Sequence, residues 1–218
     1  DDDRDIYMPG AFVARRLRAQ EGQQGPEART ATADDIIAEL VEQNDIGVQA
    51  GPDQAVDRLA GDLFAPMVRI VTLMVLRSHL LLAARFGPWR VSERGHARDL
   101  WPSVPDDSLV VADRNFLYAR DLWPLQSNGK NRHWLSRARK NSKWRVVKRL
   151  GPGDALAEVL VNRASRRQEP SLPERWAMRA IRYRRRGFRE QTLLTSLLDP
   201  AKYPAKEIVA LYHERWEI

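Results

Sequence analysis

The sequence predicts a mixed α/β sheet domain with an all-β insertion before its last helix and a helical segment ahead of it. Three observations predict this. Between residues 67 and 130, short β-branched apolar runs alternate with stretches of helical spacing. From 132 to 198, strand-like runs follow one another. The last 15 residues return to helical spacing. Hydrophobic residues make up 43% of the 218, enough for a core and too many for a disordered chain. The length suits one large domain, or one domain with an insertion.

The elements follow in chain order. Residues 1–31 mix Gly, Gln, Arg and Pro with little periodicity and read as a mobile arm. Thr32, Ala33, Asp34 and Asp35 look like a helix start, and Ile36, Ile37, Leu40 and Val41 supply one apolar face. A second short helix is expected over 53–64, closed by Pro66. Residues 68–75 (VRIVTLMV) read as a buried strand, and 79–86 as its return strand, although 80–84 also suits a helix. A helix over 92–101 is capped by Ser92 and followed by Pro102. The run Leu109-Val110-Val111-Ala112 follows a polar turn and reads as a buried central strand ending at Asp113. A helix over about 117–126 stops at Ser127-Asn128-Gly129. Strands are expected over 133–139, 144–150, 156–161, 176–184 and 191–197, punctuated by Gly151-Pro152-Gly153 and by the prolines at 170 and 173. The closing helix, 204–218, places Ile208, Leu211, Tyr212 and Trp216 on one broad face.

Charge divides the chain. Residues 1–66 hold 14 acidic and 6 basic side chains, a net of −8; residues 67–218 hold 15 and 30, a net of +15. The basic part, rich in Arg and Trp, points to a polyanionic partner, most simply nucleic acid. Residues 130–149 carry nine Lys or Arg and no acid, with Trp134 and Trp144 interleaved. Arg137, Arg139, Lys140, Lys143 and Arg145 are the candidate phosphate contacts there, which position DNA without choosing its sequence. Residues 163–189 add ten Arg against two Glu. The absence of cysteine excludes a disulfide framework and a thiolate metal site. The four histidines lack metal-ligand spacing, and no glycine-rich phosphate loop is present. The most apolar stretch, 70–84, is short and interrupted by Arg77 and His79, so no membrane partner is expected. The opening Asp1-Asp2-Asp3-Arg4-Asp5 is unlike a secretory leader, and the chain does not begin with Met. A cytoplasmic location and an incomplete translation product are therefore the expectations.

Two short runs carry the chemistry. Asp113 stands at the end of an apolar strand, where a carboxylate either emerges to hold a hard cation such as Mg²⁺ or caps the next turn. Tyr212 and Arg215 lie three residues apart on neighbouring turns of one helix face, suited to grip a phosphate or to form an ordinary amphipathic surface. The run 109–116 (LVVADRNF) resembles the second catalytic aspartate motif of DDE transposases of the insertion-sequence-4 family. The run 212–217 (YHERWE) resembles the start of that family's Tyr-x2-Arg-x3-Glu-x6-Lys signature. The Arg- and Trp-rich strands between them are similar to its β insertion, about 130–199, and the resemblance covers 67–218.

The resemblance implies a ribonuclease-H-like core in which three carboxylates bind two Mg²⁺ or Mn²⁺ ions for phosphodiester cleavage and strand transfer. It implies that Asp113 is the second of these acids and a metal ligand. Tyr212 and Arg215 would hold phosphates at the transposon ends, and Trp216 would either stack on a base or pack in the core. It implies DNA as partner, a homodimer on DNA, and a bacterial, nucleoid-associated location. The sequence departs from the family in two places. The family's catalytic glutamate falls one residue beyond Ile218, with Glu214 and Glu217 out of register, and no Asp-Gly-Thr-like strand precedes Pro66. Asp57 and Asp62 sit in a helical pattern. The expectation is an incomplete catalytic domain that binds DNA without cutting it; the alternative is a non-catalytic nucleic-acid-binding protein derived from such a domain.

Overall fold

In the computed structural model, residues 69–88 and 90–214 are described in full, and residues 11–16 and 68 by their backbone. The helix expected to start at Thr32 and the one expected over 53–64, with Asp57, Asp62, Arg215, Trp216 and Glu217, lie outside the described residues. A mixed sheet of nine strands organises the chain, in the order β3-β2-β1-β4-β5-β9-β8-β7-β6. The strands are β1 (Ala11–Arg16), β2 (Val68–Val75), β3 (Leu81–Pro88), β4 (Ser108–Ala112), β5 (His133–Arg137), β6 (Arg145–Gly151), β7 (Asp154–Leu160), β8 (Arg175–Tyr183) and β9 (Gln191–Thr195). The helices are α1 (Glu93–Leu100), α2 (Ala119–Ser127), α3 (Arg163–Gln168) and α4 (Ala205–Glu214).

Local chemistry explains the boundaries. The Ser92 hydroxyl accepts the Gly95 N–H at 3.2 Å and so caps α1, as its sequence position predicts. Every residue of β4 is buried, which is why that run is apolar without alternation. The β6–β7 hairpin closes on Pro152-Gly153, with Gly153 at φ +72°. A Cβ there would stand 2.6 Å from the Arg182 carbonyl oxygen, so only glycine fits.

Three features differ from the sequence expectation. Residues 11–16, read as part of a mobile arm, form a strand between β2 and β4, parallel to the first and antiparallel to the second. A strand there satisfies two backbone edges that would otherwise be unpaired in mid-sheet. The β-rich block continues the same sheet: β5 lies parallel to β4, and β9, β8, β7 and β6 follow antiparallel. The block also contains the short helix α3, which its polar, arginine-rich sequence gave no apolar period to reveal.

The two sheet faces bury different sets. Val110, Ala112, Trp134, Met178 and Leu194 pack with Leu100 of α1 and with Leu122 and Leu125 of α2. Leu109, Val111, Leu135, Ile181 and Leu193 pack with Ile208, Leu211 and Tyr212 of α4. Strand alternation thus sends odd-numbered residues of these strands toward α4.

One fully buried charge fixes the start of α4. Arg179, inside the arginine-rich block that reads as DNA-facing, is wholly buried. Its Nε and Nη2 donate to both Asp154 carboxylate oxygens, at 2.7 and 2.5 Å, and its Nη1 donates to the Tyr203 carbonyl at 2.6 Å. The far end of α4 is tied by Arg77, whose Nε and Nη2 each donate to Glu214 at 3.1 Å.

Candidate nucleic-acid interface

The end of β4 lies beside the end of β5. Ala112 pairs with Ser136, so Asp113 is level with Arg137. Asp113 is the next odd-numbered position after Leu109 and Val111, on extended backbone (φ −66°, ψ 157°), and so continues the face that meets α4. The Ser136 hydroxyl donates to its carbonyl at 3.2 Å.

The loop after Asp113 is held from both sides. The Asn115 N–H donates to Asp113 Oδ1 at 3.2 Å. The carbonyl of that same peptide unit, on Arg114, accepts from Arg139 Nε at 2.8 Å, and Arg139 Nη2 reaches the Asn115 carbonyl at 2.7 Å. The Arg139 guanidinium also lies 3.9 Å from the Tyr118 ring centroid, with Arg94 at 3.6 Å from the same ring. Arg94 is itself paired with the buried carboxylate of Asp121. Arg139 is therefore a brace on the Asp113 loop.

On the α4 face of this edge lies a cavity of about 250 Å³. It is lined by Arg137 from β5, Tyr183 and Gln191 from the paired ends of β8 and β9, Arg185, Phe188 and Arg189 from the turn between them, and Tyr212 and His213 from α4. Three guanidiniums and no carboxylate line it, which favours an anion. Burial, then the neighbouring Tyr212, push the Tyr183 hydroxyl above the usual phenol range, so it stays protonated and donates to Gln191 Oε1 at 3.0 Å. Burial, then the charge of Arg185, hold His213 below the usual imidazole range, favouring the neutral ring. Its Nε2 is buried without a hydrogen-bond partner among the described residues.

The predicted site residues thus divide. Arg137 and Tyr212 share the cavity; Asp113, which is not among its lining residues, follows the end of β4, beside the end of β5. Lys140 is exposed in the turn after β5. Lys143 lines a separate cavity on the other face. Arg145, on the edge strand β6, donates to Glu158 at 2.9 Å, which Arg175 also binds at 2.5 Å; these two cations, Arg145 first, hold the Glu158 carboxyl below its usual range. Sequence reasoning missed Tyr183, Arg185 and Gln191. Their only signal is Tyr183 closing an alternating strand just before the run Arg184-Arg185-Arg186.

Residues 58–218 match the family model of the transposase DDE domain. The chain belongs to the DDE transposase family. It is 34% identical over 155 residues to the transposase InsG for insertion sequence element IS4 of Escherichia coli strain K12, covering 70% of this chain and 34% of that protein. It is 35% identical over 131 residues to the putative transposase InsZ of the same organism, covering 54% and 43%. The matched part is thus less than half the length of either relative.

DDE transposases generally use divalent metal ions, which take oxygen ligands from several groups. Among the described residues no three His, Cys, Asp or Glu side chains gather as such a site. Asp113 alone does not make one, and no metal-dependent step follows from these residues. No helix of the described residues is long and apolar enough to cross a membrane.

Proposed function

We propose that this chain is a DNA-seating part of an insertion-sequence transposase whose whole protein cuts and joins DNA phosphodiesters. The observation that supports it is the cavity that Tyr212 shares with Arg137, Arg185 and Arg189, at the end of β5 that lies beside the end of β4. Arg137, Arg185 and Arg189 offer forked donors to consecutive phosphates, and Tyr212 and Tyr183 close the inner wall. Asp113 is one oxygen donor toward a Mg²⁺ or Mn²⁺ ion, with the remaining ligands supplied from outside the described residues. Arg215 and Trp216, outside the described residues, are further DNA contacts by the family resemblance alone. The 218-residue chain is expected to bind DNA without cutting it, because among the described residues Asp113 alone does not supply a two-metal site. Two copies are expected on paired transposon ends.

The test is DNA binding by the chain over a range of salt. Affinity for a short duplex should fall linearly in log–log form, with a slope of several released counterions. Salt-independent binding, or none, would remove the reading; Mg²⁺-dependent nicking by this chain would remove its non-cutting part.

A further inference from the structure

The α4-face cavity contains one hydrogen bond that the DNA-seating reading does not use. Arg185 Nη1 lies 3.3 Å from His213 Nδ1. A guanidinium has only donors, so Nδ1 accepts and the ring proton sits on Nε2. Other arginines of the chain, Arg77, Arg94, Arg132 and Arg179 among them, face a carboxylate that cancels their charge. Arg185 is held instead by an imidazole and by its own turn. Its carbonyl accepts the Phe188 N–H at 3.1 Å, and its guanidinium lies 5.7 Å from the Phe188 ring centroid. The imidazole is itself fixed. It meets Tyr183 and Tyr212 edge to face, with centroids 5.5 and 5.7 Å away and interplanar angles of 72° and 81°. Tyr212 is buried beside Ile208 and Leu211, and Tyr183 donates to Gln191 at 3.0 Å.

We propose that His213 is a positioning residue for DNA: its Nδ1 accepts from Arg185 and so aims that guanidinium, with the charge left available, at a phosphate in the α4-face cavity. A long arginine on an exposed turn otherwise loses its rotamer freedom at the moment of contact, which weakens binding. A carboxylate in place of His213 would order the side chain equally well. It would also cancel the charge and compete with the phosphate for the same fork. An imidazole acceptor orders the arginine and leaves the charge to the DNA. The packing supports that role. Burial, then the charge of Arg185, hold the ring below the usual imidazole range, toward the neutral form that can accept. A protonated ring would set two donors against each other and release Arg185.

The inference rests on the DNA-seating reading, and the test separates the two. Binding of a short duplex is measured over a range of salt for the unaltered chain and its variants. His213→Phe keeps a ring against both tyrosines and removes the acceptor. It should weaken binding about fivefold, the cost of ordering one long side chain, with the salt slope unchanged. His213→Asn, whose side-chain oxygen can take the place of Nδ1, should stay within about twofold of the unaltered chain. In an Arg185→Ala background, His213→Phe should weaken binding no further. A long-range proton–nitrogen NMR spectrum of the unaltered chain should place the His213 proton on Nε2. A proton on Nδ1, full binding by His213→Phe, an equal loss without Arg185, or an Asn variant as weak as the Phe one each overturns the positioning role and leaves DNA binding standing. An unaltered chain that binds no duplex, or binds without salt dependence, overturns both readings.

Discussion

Replacing Arg179 with Ala should nearly unfold the protein, though no part of Arg179 touches solvent or the proposed DNA path. The guanidinium makes three hydrogen bonds, two to Asp154 and one to the Tyr203 carbonyl. Its side chain is 0% exposed and that of Asp154 is 10% exposed. Removing it leaves a buried carboxylate without its cation, a loss of about 3–5 kcal/mol. The Tyr203 carbonyl loses a donor as well, at about 1 kcal/mol or more. A total near 4–6 kcal/mol consumes much of the ~5–15 kcal/mol that holds a domain folded. With a urea dependence of about 2 kcal/mol per molar, the unfolding midpoint falls by roughly 2–3 M. Circular dichroism through a urea titration reads that shift. The paired change Arg179→Met with Asp154→Leu removes both charges and should recover most of the loss. A cost below ~1 kcal/mol for Arg179→Ala, or a double variant no better than the single one, would refute the reasoning.

Two further outcomes follow from local geometry. Gly153→Ala should cost about 1–3 kcal/mol by thermal unfolding, because φ +72° and the Arg182 carbonyl at 2.6 Å both oppose a Cβ. Gly151→Ala, with nothing within 4 Å, should stay within ~0.5 kcal/mol. Stability should also fall as pH drops through the histidine range. Burial above all, with the charge of Lys202 acting the same way, holds His133 below the ordinary value near 6.5. The unfolded chain therefore takes up this proton first as pH falls, and stability present above about pH 6.5 is lost toward the lower folded value. His133→Asn should flatten the decline in melting temperature between about pH 7 and 5, and an unchanged slope would count against the buried neutral ring.

How much of this was legible depends on whether the signal is local. Ser92 as a cap and Asp113 at the end of a buried strand are read from neighbours a few residues away, and both stand where the sequence puts them. The cavity shared by Arg137 and Tyr212 had no local signal, because nothing local links residues 75 positions apart. Arg179 was misleading for a physical reason. Strand β8 reads Arg-Trp-Ala-Met-Arg-Ala-Ile-Arg-Tyr, and an arginine in a basic run normally faces water. Here α4 covers the odd-numbered face, so the guanidinium had to be buried, and its partner Asp154 comes from a different strand. The strand at 11–16 escaped detection because its pairing with β2 and β4 is entirely non-local. Tyr183 and Gln191 join the site only through the β8–β9 register.

The central claim is that the cationic cavity at the Asp113 edge is where DNA phosphates sit. The salt dependence of duplex binding, compared between the unaltered chain and single alanine variants, tests it most directly. Arg137→Ala and Arg185→Ala should each weaken binding and lower the log–log slope by about one. Arg175→Ala, whose guanidinium is spent on Glu158 toward the other end of the sheet, should leave the slope unchanged. If Arg175→Ala lowers the slope while Arg137→Ala and Arg185→Ala do not, the phosphates lie elsewhere and the account is wrong.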